Sequence, residues 1–341
     1  VKDDPGRSNP SAVCSEILAR IRGLNVWIVG DIMLDEYVTG GVDRISPEGP
    51  VPVVHVANVE YRLGGAANVA RQIAALGAHA SLAGLLGQDS AGGQVISLCE
   101  SAGVQTRAVL QLAVRQSTRK VRVLGRSHQM LRLDWEDVAP CPDAAVDDML
   151  DRLCREPLPD VIILSDYAKG VLTDLTIRKI VAFAQASHIR VVVDPKRRNF
   201  ADYCGASVIT PNLAELEIAT SKNLAAGNAG SIAQAATELA ASAGVDAVVV
   251  TLGDRGMVVA SAKRPHLAIP AIVHRPVSDT TGAGDTAVAT LASCLAAGAT
   301  LEDAARIANA AAGIAVGLVG TVAVEPRMIQ SVFEGQGAQK I

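Results

Sequence analysis

From about residue 160 onward, short β-branched runs alternate with longer alanine-rich stretches: Val161–Leu164, then 174–187, Val191–Val193, then 230–243, and Val248–Thr251. Buried parallel strands joined by crossover helices produce this rhythm, because a strand covered on both faces is apolar throughout while its helix needs only one apolar stripe. Upstream, Val26–Val29 reads as the first strand, and Ala67–Leu76 as a helix that Gly77 stops. Two segments break the rhythm. Residues 36–60 are rich in Gly and Pro, and within 107–133 the run Lys120-Val121-Arg122-Val123 alternates polar and apolar side chains. Alternation marks strands with one solvated face. Both segments interrupt an otherwise βα chain, so one small β-layer is expected to project from the main sheet as a lid that keeps water from a reaction beneath it.

Composition narrows the picture. The 341 residues are 49% hydrophobic but only 3% aromatic, so the core must be built from Ala, Val, Ile and Leu. The chain reads as a single domain over 1–341 with the lid inserted in it. Net charge is −4 and the Lys and Arg residues are scattered, which excludes the basic stripe of a nucleic-acid binder. The apolar tract 308–319 is shorter than the roughly 20 residues a membrane span needs and reads as a buried helix. Six cysteines lie far apart without CxxC spacing, which argues for buried reduced thiols and against a zinc site or a disulfide framework. The first ten residues are polar and hold no apolar leader segment, so the cytoplasm is the expected compartment.

The sharpest chemical signal is Asp279-Thr280-Thr281-Gly282-Ala283-Gly284-Asp285-Thr286, followed by the apolar stretch Ala287–Ala297. Glycines at a helix start let the backbone N–H groups around Gly282, Ala283 and Gly284 converge on an anion, where the helix dipole adds favourable potential. Asp285 then falls in the first turn, close to a cradled phosphate and placed to accept a proton from a bound hydroxyl. Two plainer readings compete: an acid favoured by the helix dipole, and the weak dinucleotide fingerprint G-x-G-x-x-A through Gly282, Gly284 and Ala287. That fingerprint needs a strand just before it, and Arg275-Pro276-Val277-Ser278 does not read as one.

This segment resembles the second signature of the ribokinase-like (PfkB) carbohydrate kinases. Gly64-Gly65-Ala66-Ala67-Asn68-Val69-Ala70, with Gly77 beyond, resembles their first signature, and the likeness runs from about Val26 to Val324. The resemblance implies an α/β fold, a three-layer α/β/α sandwich with a mostly parallel sheet and a β-lid. It implies a kinase that uses ATP and Mg²⁺, with Asp285 as the base, and raises a homodimer through the lid as an expectation. Asn212-Leu213-Ala214-Glu215 resembles the family's N-x-x-E element, which places Asn212 and Glu215 on Mg²⁺ through water. A helix capping box would use the same two residues. Thr251, Gly253 and Gly256 fall in a segment similar to the loop that contacts ATP phosphates and ribose, and Asn309 and Gly313 fall beside the adenine. On the sugar side, Asp31 and Asp35 after the first strand are candidates to grip hydroxyls, with Gly64 and Gly65 nearby and Asn68 gripping from the lid side.

Further segments narrow the resemblance. Asp31-Ile32-Met33-Leu34-Asp35, Arg44-Ile45-Ser46-Pro47-Glu48, Ser165-Asp166-Tyr167-Ala168-Lys169-Gly170 and Asp194-Pro195-Lys196 are similar to D-glycero-D-manno-heptose 7-phosphate kinases. Those kinases are often fused to a nucleotidyltransferase; this chain stops soon after Val324 and so resembles the stand-alone form. The substrate implied is a small sugar phosphate, and a cationic clamp for its phosphate is sought in Lys169, Lys196, Arg44 and Arg132. The rival readings are a related kinase acting on a nucleoside, ribose or fructose phosphate, and a non-catalytic sugar-binding regulator. The regulator has no chemical need for Asp285.

Overall fold

The protein is described by a computed structural model over residues 9–125, 128–262, 264–272, 281–318 and 320–335. Asp279, Thr280 and the segment 275–278 therefore lie outside the described residues. In chain order the strands are β1 (Asn25–Gly30), β2 (Ile32–Ile45), β3 (Pro52–Gly65), β4 (His79–Gly87), β5 (Gln105–Leu112), β6 (Thr118–Gly125) and β7 (His128–Trp135). Then come β8 (Val161–Ser165), β9 (Arg190–Asp194), β10 (Val208–Ile209), β11 (Ala247–Thr251), β12 (Met257–Ser261) and β13 (Arg264–Ile269). The helices are α1 (Pro10–Ile21), α2 (Ala66–Ala75), α3 (Ser90–Ser101), α4 (Asp143–Leu153) and α5 (Asp174–Ala186). They continue with α6 (Leu213–Thr220), α7 (Ala229–Ala243), α8 (Ala283–Ala296), α9 (Leu301–Val316) and α10 (Pro326–Phe333).

The β-branched runs become a nine-stranded sheet of order β13-β12-β11-β10-β9-β8-β1-β4-β5, parallel from β11 to β5 and antiparallel at the β12 and β13 edge. Side chains alternate across it. Val26 and Ile28 enter a core with α1, α2, α3, α8, α9 and α10, whereas Trp27 and Val29 enter a second core with α4, α5, α6 and α7. That is a three-layer α/β/α sandwich with both sheet faces covered, as a parallel sheet requires. Side-chain caps from Thr173, Asn228 and Thr300 start α5, α7 and α9, and Gly244 in the left-handed region stops α7. The tract 308–319 lies mostly in α9, whose residues Ala308, Ala310 and Ala311 are buried.

The lid is a four-stranded sheet of order β3-β2-β6-β7. Its limits differ from those expected: residues 107–112 belong to β5, which pairs in parallel with β4 in the main sheet, while the lid strands run over 32–45, 52–65, 118–125 and 128–135. β3 also ends at Gly65 and passes straight into α2, so the glycine pair makes no turn. It allows close approach instead. A Cβ on Gly64 would stand 2.6 Å from Asp35 Oδ2, and Gly65, at φ 56°, lies against the Asp31 carbonyl.

Parallel strands share one carboxyl edge; there Asp31, Asp166 and Asn212 follow the ends of β1, β8 and β10, and Asp194 is the last residue of β9. Among the described residues no helix is long and apolar enough to cross a membrane. All six cysteines are free, but Cys154 and Cys204 are exposed, against the expectation that all are buried.

Candidate active site

Helix α8 starts at Gly282, whose φ of 79° is left-handed and whose Cβ, if present, would sit 2.9 Å from both Asn68 Nδ2 and Thr321 Cγ2. Only glycine fits there. The first N–H groups of the helix have no partner within it, and Asp285 occupies the same first turn, 4% exposed. Its Oδ2 accepts from Asn68 Nδ2 and its Oδ1 from the Tyr167 hydroxyl, each over 2.7 Å. Burial raises the Asp285 pKa; the Asn68 and Tyr167 bonds oppose that, the Asp35 charge adds to it and Arg71 works against it. Asn68 is itself fixed. Arg71 Nη2 donates to its Oδ1 over 2.9 Å, so the amide can only turn its NH₂ toward Asp285.

Asn68 lies on α2 and not in the lid. It is buried on the first turn of α2, and both ends of its amide are engaged by Asp285 and Arg71. Asp31 is corrected in the same way. Its carboxylate, 1% exposed, accepts from the backbone N–H groups of Tyr167 (2.8 Å), Lys169 (3.0 Å) and Val171 (3.1 Å). A carboxylate surrounded by three such donors ties down the loop after β8 and has little left to offer a ligand. Asp35 is buried in lid strand β2 and paired with Arg122 at 2.6 Å.

A cavity of about 520 Å³ opens beside α8. Asn212, Glu215, Thr251, Gly253, Gly256, Asn309 and Gly313 all line it, as do Ala283 and Gly284. Its polar end holds Asp194, Lys196 and Glu215, and its apolar end is built from residues such as Ile272, Ala308, Ala312 and Val316. Two small or polar residues there have a structural reason beyond making room for a flat ring. Gly313 is required by the Ile272 carbonyl packed against it, and Asn309 Nδ2 donates to the Pro270 carbonyl at 2.9 Å.

Asn212 and Glu215 form a complete capping box at the start of α6, with side-chain to backbone bonds of 2.9 Å in both directions. Lys196 Nζ adds an ion pair to Glu215 Oε1 at 2.9 Å. Lys196, expected in the sugar-phosphate clamp, thus lies beside Glu215 at the polar end of this cavity. The two residues fit Mg²⁺ only as outer partners: the Glu215 oxygens already accept from protein donors, and their remaining lone pairs suit metal-bound water. Among the described residues no group of three or more His, Cys, Asp or Glu is arranged to hold an ion. An ion bound mainly by phosphates and water needs no such group.

The lid has two unlike faces. Cross-strand register sets Arg62, Asp35, Lys120 and Asp134 in one rung and Glu60, Tyr37, Arg122 and Arg132 in the next, all on one side. The guanidinium groups of Arg62 and Arg122 lie 4.8 and 5.2 Å from the Tyr37 ring, and Arg62 packs on the Gly320 backbone. The opposite face carries Val59, Tyr61, Leu131 and Leu133, all exposed. Of the cations expected to clamp a phosphate, Arg132 lies on the polar face beside Arg122 and pairs with Asp134 at 3.0 Å. Lys169 pairs with Glu136 at 2.6 Å, and Arg44 is exposed near the end of β2.

A mostly parallel sheet with a helix N-terminus and a buried carboxylate at its carboxyl edge is an arrangement that suits phosphoryl transfer. The sequence profile of the pfkB family carbohydrate kinases matches residues 25–328, and the chain belongs to that family. It is 45% identical over 300 residues to the bifunctional protein HldE of Caulobacter vibrioides, covering 88% of this chain and 61% of that protein. Against the bifunctional protein HldE of Pseudomonas putida it is 42% identical over 321 residues, covering 92% and 65%. The chain thus spans less than two thirds of the length of these relatives. The fold matches Arabidopsis thaliana ribokinase complexed with ribose and ATP (TM-score 0.73, 20% identity, 92% of this chain and 99% of that one). It matches phosphofructokinase-2 from Escherichia coli in complex with fructose-6-phosphate equally well (TM-score 0.73, 20% identity, 92% and 99%).

Proposed function

We propose that the chain transfers the γ-phosphoryl group of ATP to the anomeric C1 hydroxyl of D-glycero-β-D-manno-heptose 7-phosphate, giving the 1,7-bisphosphate on the route to ADP-heptose and the lipopolysaccharide core. The observation that carries this reading is the position of Asp285. Residues of its own helix, Ala283, Gly284 and Ala287, line the nucleotide cavity, while the charge of Asp35 reaches it from the lid. Asp285 accepts the C1 hydroxyl proton as that oxygen bonds to the γ-phosphorus; the bond from phosphorus to the β–γ bridging oxygen breaks, and ADP leaves with its electron pair. The N–H groups at the start of α8, which have no partner within the helix, face the transferring oxygens. Positioning and electrostatics carry most of such a reaction. Magnesium, when bound with the nucleotide through water on Asn212 and Glu215, supplies charge neutralisation to the phosphates.

At the other end of the sugar, the lid's polar face supplies the phosphate clamp, with Arg62, Lys120, Arg122 and Arg132 around the hydroxyl-gripping Asp35. The heptose assignment draws on the segments that resemble heptose 7-phosphate kinases and on the identity to the HldE proteins. The exposed apolar face of the lid supports pairing of two copies through it, and the cytoplasm is where ATP would meet the enzyme. A direct test is ADP release from Mg·ATP with heptose 7-phosphate as acceptor. No release above the acceptor-free rate would remove the heptose reading, and release with fructose 6-phosphate or ribose alone would replace it with a related kinase activity.

A further inference from the structure

The geometry points to Tyr167 as a positioning residue for phosphoryl transfer: its hydroxyl, delivered by a loop that other side chains hold rigid, orients the Asp285 carboxylate and donates to its charged form. The inference rests on the reading of Asp285 as the base. One donor on each carboxylate oxygen, Tyr167 on Oδ1 and Asn68 on Oδ2, both at 2.7 Å, fixes the carboxylate plane and leaves the outward lone pairs for an incoming hydroxyl.

The loop that presents Tyr167 is built to hold still. Ala168, the next residue, has φ 55°, a conformation an L-residue adopts when its surroundings impose it. Asp31 collects the N–H groups of Tyr167, Lys169 and Val171. Asp166 Oδ1 accepts from Ala168 N, while its Oδ2 accepts from the Tyr203 hydroxyl, both over 2.7 Å. Arg197 approaches Asp166 at 3.4 Å, and Arg115 donates to the Lys169 carbonyl. Two buried carboxylates, a buried phenol and two guanidinium groups thus converge on a loop of a few residues whose outcome is one hydroxyl placed on Asp285.

The charges around that carboxylate explain why a donor is needed. Asp35 on the lid and Asp194 at the end of β9 both repel a charge at 285, and Arg71 on α2 is the cation that favours it. Burial acts with the repulsion. Tyr167 stays a donor throughout, since burial and the charges of Asp285, Asp194 and Asp35 push its phenol well above its ordinary range.

The test is Tyr167→Phe, which keeps the ring and removes the hydroxyl, with Asp285 followed in the ligand-free protein by carbon-13 NMR of its carboxyl. The Asp285 midpoint should move to higher pH. In turnover, kcat should fall roughly tenfold near neutrality, the loss should shrink as pH rises, and KM for ATP should hold within about twofold. A uniform loss of kcat at every pH with an unmoved Asp285 midpoint would assign Tyr167 to packing alone and overturn the inference. If Tyr167→Phe melts early, a ring-fluorinated tyrosine at 167 keeps the shape and strengthens the donor; the Asp285 midpoint should then move down, and an unmoved one overturns the inference. The NMR readout needs no acceptor sugar, so it stands or falls separately from the heptose assignment.

Discussion

The side-chain amide of Asn68, on the first turn of α2, donates to the carboxylate of Asp285, on the first turn of α8, over 2.7 Å although 217 residues separate them. Each residue belongs to one of the two glycine-rich segments, so this bond joins them into one site. Gly282 lets it form, because any side chain there would occupy the space of the Asn68 amide.

Replacing Asp285 by Asn should cost activity and change how stability depends on pH. Loss of a general base lowers kcat by about 10²–10⁴-fold, while nucleotide binding, made mostly by other residues, should persist. Burial raises the folded-state pKa of Asp285 above its unfolded value. Its contribution to stability is therefore full below the unfolded pKa and is lost as pH rises through the folded one. Asn escapes that loss. Asn also leaves one of the two donors on residue 285 without an acceptor, so the melting temperature of Asp285→Asn relative to wild type should be most favourable at about pH 8 and worsen on acidification; a variant keeping more than about a tenth of kcat would not have lost the base.

Asp31→Asn should behave as a structural lesion. An amide offers one acceptor oxygen to three backbone donors, and each buried donor left without a partner costs about 1–3 kcal/mol. The melting temperature should drop and kcat with it, as the loop holding Tyr167 loosens. A raised sugar KM with an unchanged melting temperature would restore Asp31 to the substrate side.

How much of this could be read in the chain depends on which physical signal each part leaves. The parallel strands were legible as β-branched runs, and α8 as an apolar stretch after glycines, since both bury their side chains at a fixed period. Asp285 and the cavity residues were legible as motifs. The role of Asn68 was not, because nothing local links it to Asp285. Asp31 and Asp35 look alike in sequence; only the fold tells that Asp31 meets the loop after β8 and Asp35 sits within lid strand β2. Lys196 likewise gives no local sign of its partner, since Glu215 lies on the connection after another strand. Tyr167 and Arg122 lay in segments noticed for other reasons, and Arg122 shared its alternating strand with the pattern that revealed the lid.

Glu215→Gln separates the metal role from the capping role. Glutamine keeps an acceptor for the Asn212 N–H, so the capping box and the melting temperature should survive, but a neutral amide holds metal-bound water less well. The Mg²⁺ concentration for half-maximal rate should rise. An unchanged Mg²⁺ titration would leave Glu215 as a cap alone.

Two lysines should report on opposite ends of the site. Lys120→Met, on the polar face of the lid, should raise KM for a phosphorylated acceptor about tenfold and leave an unphosphorylated one unaffected. Lys196→Met, beside Glu215, should raise KM for Mg·ATP instead. The reverse pattern would exchange the two ends.

The most direct measurement is a comparison of kcat/KM for heptose 7-phosphate, unphosphorylated heptose, sedoheptulose 7-phosphate, fructose 6-phosphate and ribose, with the new phosphate located by phosphorus NMR. The cations of the clamp gain charge-assisted bonds only from an acceptor that carries the phosphate, and a shorter sugar phosphate would misplace C1, where an error of about 1 Å can cost about 10²-fold. Heptose 7-phosphate should lead the series and carry its new phosphate on C1. A higher kcat/KM for any other acceptor, or a new phosphate on another carbon, would contradict the account.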